Sequence, residues 1–245
     1  VEYTKGGAFC RARAEREVIV AGGVINSPQI LMLSGIGEAA HLGDMGIETV
    51  VDLPGVGRNL QDHLSVIVEY RRRESGPFRP RMRYDRLAFD LARAYVAGTG
   101  PATDLPIGLM AFLKSPVHAG IPDIQFIFRA VPGEVYPWFP GFRPAWPDAF
   151  GLRPVLLHPE SRGSVRLASA DPRVAVLSRQ NFLSAENDVR TIREGFKMAR
   201  EVIAQKPFDR FRGEEVLPGS EARTDDDIDA HIRATSWTAH HPAGT

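Results

Sequence analysis

The residues of this chain best suited to chemistry stand at its end, in Thr238–Thr245, "TAHHPAGT". Histidine is the side chain whose ordinary pKa, about 6.5, lets it take or give a proton near neutrality. A zinc clasp by His240 and His241 is a weak reading: neighbours in an extended segment point to opposite sides and lack the i,i+4 spacing that converges two imidazoles. A base is the other reading. Pro242 restricts His241 to an extended backbone, and Gly244 lets the chain approach something flat or charged. From these residues alone a tag-like tail, a metal clasp and a segment of an active site all stay open.

Other constellations carry less. Asp62-His63 has the composition of half a catalytic triad, but no Gly-x-Ser-x-Gly elbow supplies a nucleophile. Asp225–Asp227 read as the first turn of a helix capped by Thr224, where acidic groups meet the positive end of the helix dipole, rather than as a cation site. Gly35, Gly37, Gly55 and Gly57 form neither a P-loop nor a G-x-G-x-x-G fingerprint, so a nucleotide's pyrophosphate loop would lie elsewhere. Cys10 is the sole cysteine, which excludes an internal disulfide and a cysteine metal site, and no metal is expected.

The elements that must position the histidines follow from pattern. With 245 residues, 43% of them hydrophobic and 24% charged, the chain has apolar mass for a core in one large or two small domains. Thirty basic and thirty acidic residues cancel, so no overall field favours nucleic acid or anionic lipid. The arginines at 71–73, 79, 81, 83 and 86 read as a solvated face. No run approaches the ~18 apolar residues of a membrane span, and no signal peptide is visible. The expectation is a cytoplasmic protein, seen as a fragment because it opens at Val1 inside an apparent strand.

Val18–Ala21 reads as a buried strand running into glycines, followed by a short helix with Ser27 as cap and Pro28 in its first turn. "EAAHLGDMG" is a second short helix closed by Gly46. From residue 64 the texture turns to β: "LSVIVEYRR", "IGLMAFLKS" and "DIQFIFRAV" alternate partially between Pro- and Gly-rich loops. "FGLRPVLLHPESRGSVRLAS" reads as two strands joined across Pro159–Gly163. "RYDRLAFDLARAYVAGTG" places Leu87, Leu91, Ala94 and Tyr95 at helical spacing, stopping at Gly98. The aromatic stretch 132–148 reads as a lid, a wall or simple packing. In 185–205, Val189, Ile192, Phe196, Ala199 and Ile203 mark one face of a long helix packed on the sheet.

"GGVINSPQILMLSGIG" (22–37) resembles the second signature of the glucose–methanol–choline (GMC) flavin oxidoreductases. "PGVGRNLQDH" (54–63) is similar to the element that follows it there, "HPESRGSVRLASADP" (158–172) to that family's substrate-domain hairpin, and "HHPAGT" (240–245) to the segment with its catalytic histidine. The four motifs stand in the family's order from end to end.

The resemblance implies an α/β plus α+β fold: the C-terminal part of a Rossmann-like FAD domain, with an antiparallel-sheet substrate domain backed by helices. Residues 1–63 would belong to the FAD domain, 64–220 to the substrate domain, and 221–245 to a return segment carrying the catalytic histidine. It implies oxidation of an alcohol to its carbonyl, with hydride passing to FAD, His241 as base and His240 in a structural role. FAD would meet Ala21, Gly22, Asn59, Pro242 and Gly244. The amino-terminal fingerprint and the second catalytic residue would lie outside this chain, leaving the 245-residue piece inactive alone.

Choline-oxidising relatives carry a glutamate two positions after the Asp-His, able to hold a quaternary ammonium. Ser65 stands there in this chain, which favours a neutral primary alcohol. The electron acceptor, oxygen or another carrier, is not readable. A hydroxynitrile lyase of the same family and a non-catalytic fragment are the alternative readings.

Overall fold

The structure, a computed structural model, describes residues 1–103, 107–117 and 120–245. Its residues group into two compact units. The first comprises Val1–Gln61, Arg162–Asn181 and Pro242–Thr245; the second comprises Asp62–Ser161 and Phe182–His241. These units are not contiguous in sequence: the 163–179 hairpin and the last four residues group with the first.

The second unit is built on one antiparallel sheet. Its strands, in chain order, are β1 (Leu64–Ser65), β2 (Val68–Arg72), β3 (Ile107–Leu113), β4 (Ile124–Arg129), β5 (Ala149–Leu156), β6 (Arg212–Leu217) and β7 (Trp237–Thr238). β5 is the centre. On one side it pairs with β4, which pairs with β3; on the other it pairs with β2 near its start and β1 near its end. β6 extends the sheet beyond β2, and β7 beyond β1. Pro154 explains the break between β1 and β2. It has no N–H to give a ladder, and there the neighbour offers only the Val66 N–H, which donates to the Pro154 carbonyl at 3.2 Å.

The helix Glu186–Ala204 buries the face read from its sequence: Val189, Ile192, Phe196, Ala199 and Ile203 pack on Val66, Val68, Ile124, Phe126, Phe150, Leu152 and Leu156 of the sheet. At its start the buried Asp188 accepts the backbone N–H groups of Glu160 and Ser161, at 2.7 and 2.9 Å. Asp225–Thr235 joins the same core through Ile228 and Ile232. Thr224 caps it as expected, in a reciprocal capping box with Asp227. Arg193 forks onto Asp229 with two bonds of 2.6 Å, fastening the two helices together.

Tyr84–Ala97 forms a helix that ends on left-handed Gly98, as its sequence dictates, but the expected apolar face is not buried. Leu91 is exposed and Tyr95 is 92% exposed; Asp90 is the one buried residue, and it pairs with Arg81 at 3.3 Å. The arginine cluster is likewise more than a solvated face. Arg72 is half-buried, with its guanidinium over the Phe150 ring and 3.7 Å from Asp148. In the aromatic stretch, Trp146 is buried and its Nε1–H donates to the Tyr136 carbonyl, while Phe139 and Phe142 are exposed.

The first unit is a smaller α/β body. It contains a hairpin of Glu2–Lys5 with Ala8–Arg11, a parallel pair of Ile36–Gly37 with Val51–Asp52, and a three-stranded antiparallel sheet of Arg58–Leu60, Gly163–Arg166 and Leu177–Arg179. Met32, Leu42 and Leu167 form its core. His41 is buried in it, and its Nε2 accepts the Leu167 N–H at 3.1 Å.

Two readings of this region are corrected. Val18–Ala21 forms no strand, and Ile19 is 79% exposed; a strand needs a neighbour to take its N–H and C=O groups, and none pairs with it among the described residues. The first helix runs Gly23–Leu33 with Gly22 as its cap, so Ser27 is interior and Pro28 lies inside the helix. Proline has no N–H for the carbonyl four residues back. That carbonyl, of Val24, accepts the Thr245 hydroxyl instead, at 2.6 Å.

Candidate functional site

In the second unit, His241 sits on an anchored backbone with an exposed ring. Asp62, 3% exposed, supplies the anchor. Its Oδ1 accepts the His241 N–H at 3.0 Å, and its Oδ2 accepts the Thr238 hydroxyl in a very short bond. Thr238 Oγ1 in turn accepts the His240 N–H at 2.8 Å, closing a side-chain turn of the kind threonine favours. That turn lets His240 take a left-handed φ of 67°, so the main chain reverses between the two histidines. Their side chains are therefore separated by a kink, not by the plain alternation of a straight strand.

His63 completes the cluster. Its carbonyl accepts the Ala239 N–H at 2.8 Å, its Nδ1 lies 3.5 Å from His241 Nδ1, and the two rings meet edge to face with centroids 5.5 Å apart. Burial lowers the His63 pKa, and the positive potential of protonated His241 lowers it further, against the opposing pull of Asp62. His63 is therefore neutral around neutral pH.

Next to this cluster, Arg153 of β5 lies over the ring of Trp237 in β7, its guanidinium 4.6 Å from the centroid. It donates to Ser65 Oγ at 2.6 Å and to the Thr238 carbonyl at 3.3 Å. Ser65 also donates to the Trp237 carbonyl at 3.0 Å and is 0% exposed. A side chain sealed in this way does not reach a substrate, so Ser65 does not discriminate a neutral alcohol from a quaternary ammonium.

The residues expected to meet a cofactor belong to the first unit. Gln61 and Ala243 exchange reciprocal backbone bonds of 2.8 Å, which seats the final segment. Asn59, with a φ of 67°, donates from Nδ2 to the Gly244 carbonyl at 3.3 Å, and its Oδ1 accepts from Arg162 Nε at 2.9 Å. Gly244 has a φ of 98°, and a Cβ there would run into the Asn59 carbonyl, so only glycine fits. Pro242 is half-buried beside it. Ala21 and Gly22 are exposed and lead into the helix Gly23–Leu33, whose start no side chain caps. The bond from Thr245 to Val24 brings the final segment to that helix start.

Asp62, His63 and Thr238 were the residues that reading by motif left without a role. The pair Asp62-His63 was visible as a dipeptide; only the antiparallel pairing of β1 with β7 brings it to Thr238 and His241. A separate cavity of about 600 Å³ is lined by Phe78, Met82, Leu87, Leu91, Val131 and Val135, and it shares no residue with this cluster. No helix among the described residues is long and apolar enough to cross a membrane.

Comparison with known proteins identifies the family. Two sequence models, both described as GMC oxidoreductase, match residues 1–65 and 159–245, together more than half of the chain. An oxygen-dependent choline dehydrogenase of Brucella ovis is 40% identical, covering 100% of this chain and 44% of the relative. The mitochondrial choline dehydrogenase of Mus musculus is 38% identical over 100% of the chain and 40% of the relative. Among solved structures, a formate oxidase of Aspergillus oryzae, in a study of its FAD modification, superimposes with a TM-score of 0.85 at 25% identity, over 98% of this chain and 46% of that one. The chain spans less than half the length of these relatives, and it belongs to the GMC oxidoreductase family.

Proposed function

We propose that the protein carrying this chain oxidises an alcohol, as a primary alcohol R–CH2OH, to its carbonyl, with FAD as cofactor and His241 as general base. The observation that carries the reading is the exposed imidazole of His241 on a backbone fixed by the buried carboxylate of Asp62. An alcohol gives up hydride readily only as its hydroxyl proton leaves, and an imidazole is suited to take that proton near neutrality. Family membership and the choline dehydrogenase relatives support the same chemistry. With Ser65 buried, those relatives make choline a substrate to test beside neutral aliphatic and aromatic alcohols.

The residues present fit an FAD. Exposed backbone at Ala21 and Gly22, an uncapped helix start and the glycine-only turn at Gly244 offer main chain to a flat, anionic ligand. Ala21, Gly22, Asn59, Pro242 and Gly244 would hold it. When bound, FAD supplies the acceptor for the hydride. On this reading residues 1–63 form the later part of the FAD domain, 64–220 the substrate domain and 221–245 the return segment. His241 holds the hydroxyl proton at Nε2, and His240 stays out of the chemistry.

In the complete, flavin-loaded protein, anaerobic addition of an alcohol that is a substrate should bleach the flavin's visible absorbance. His241→Ala should slow that bleaching by a factor on the order of 10² to 10⁴ with flavin still bound, and His240→Ala should leave it nearly unchanged. Undiminished bleaching in His241→Ala, or no bleaching by any alcohol, sinks the reading.

A further inference from the structure

We propose that His63 is a positioning residue for His241: its Nδ1 accepts the Nδ1 proton of His241, which leaves His241 Nε2 bare to take a hydroxyl proton. The inference rests on His241 being the base. An imidazole has two nitrogens, and the hydrogen bond made by one decides which carries the proton. Left to water, neutral His241 would divide itself between two tautomers, and only the one with Nε2 unprotonated could act through that atom.

Three features of the cluster give His63 this task. The first is the approach of the two Nδ1 atoms, 3.5 Å apart with the rings edge to face. Two neutral imidazoles meeting nitrogen to nitrogen share one proton, so one ring donates and the other accepts. The distance is at the long end for a hydrogen bond, as such bonds commonly are before substrate closes a site.

The second feature bears on which ring accepts. The Leu157 backbone beside the His63 ring favours a proton on that ring. With Nδ1 turned to His241, the nitrogen left for that proton is Nε2. His63 is thus held as the Nε2–H tautomer, with Nδ1 a lone pair aimed at His241.

The third feature is that neither ring is loose. The Ala239 N–H on the His63 carbonyl and the His241 N–H on Asp62 tie both main chains together. The titratable groups facing His63 are Asp62, His241 and His158, with the Leu157 backbone beside them. His158 is turned to the Pro122 carbonyl, 3.2 Å away. Burial keeps His63 neutral, as an acceptor must be, and a second positive charge beside protonated His241 is disfavoured.

The test uses the complete flavin-loaded protein and three variants: His63→Leu, His63→Asn and His241→Gln. His63→Leu keeps bulk but offers no acceptor, and kcat/KM for a substrate alcohol should fall on the order of 10- to 100-fold, the range for losing an orienting partner. His63→Asn, whose amide oxygen can stand where Nδ1 stands, should recover most of the rate. A merely structural role would not single out a side chain by its acceptor. Nitrogen NMR of histidine-labelled protein, with His241→Gln used to assign the signals, should show His241 protonated at Nδ1 and bare at Nε2. That measurement on the unaltered protein decides the matter even where a variant unfolds. An unprotonated His241 Nδ1, or a His63→Leu enzyme with normal kcat/KM, overturns the proposal. A fully active His241→Gln would overturn the base reading itself, and is thereby told apart from a failure of His63 alone.

Discussion

Removing the carboxylate of Asp62 tests whether the His241 backbone is held as described. Asp62→Ala deletes two hydrogen bonds to a buried carboxylate, one from the His241 N–H at 3.0 Å and one from the Thr238 hydroxyl. Bonds to charged groups contribute about 1.5–3 kcal/mol each. Two effects temper the sum: His241 is exposed, so water reaches its freed N–H, and Thr238 keeps its bond from the His240 N–H. A net loss of about 3 kcal/mol is expected, read as a lower melting temperature. Asp62→Asn should cost only about 1 kcal/mol. Its amide oxygen can accept the His241 N–H while its NH2 donates to Thr238 Oγ1, with the threonine hydroxyl rotated away.

Turnover should separate the two variants more sharply. A base displaced by ~1 Å can lose on the order of 10²-fold in rate, so Asp62→Ala should be nearly inactive with flavin retained. Asp62→Asn should stay within about tenfold of the unaltered enzyme, because its backbone anchor survives. The assay is thermal melting of the complete protein beside anaerobic flavin reduction. Equal melting temperatures and equal rates for Asp62→Ala and the unaltered protein would refute the anchoring argument.

Gly244→Ala places a side chain at a φ of 98° and against the Asn59 carbonyl, so a loss of more than about 1 kcal/mol in stability is expected, together with weaker flavin retention, read by melting and by absorbance after gel filtration. His41 makes stability pH-dependent. Its folded pKa is lowered, first by burial and then by Arg166, so the unfolded chain binds more protons just below the ordinary value of about 6.5. Stability should be unaffected by this group above that pH and should fall as pH drops below it, because protonated Nε2 can no longer accept the Leu167 N–H. His41→Gln, which offers an amide oxygen in the same role, should flatten that part of the melting-temperature profile; an unchanged profile would exclude His41 as its source.

Much of the long-range order was legible from local pattern because the responsible forces act within a few residues. The helix over 186–204 follows from an apolar residue every three or four positions, and its buried face is the one so marked. Thr224 with Asp227 writes its own helix start, and Gly98 its helix end. Failures occurred where the deciding partner is remote. Pro28 looks like the first turn of a helix until Thr245 is seen on the Val24 carbonyl it leaves free. Leu91 and Tyr95 have helical spacing, yet spacing cannot say whether anything stands opposite, and here both are exposed. Ser65 looked like a substrate contact by its place in a motif, and burial under Arg153 and Trp237 removes it from reach.

By itself, the sequence determined the family and the elements of the sheet and its helix, because motif order and periodicity are local properties of the chain. Only the tertiary structure decided that Asp62, His63 and Thr238 gather round that histidine. Asp62 and His63 lie 179 and 178 residues from His241 along the chain, and no local pattern encodes a hydrogen bond whose two ends meet only when β1 and β7 pair.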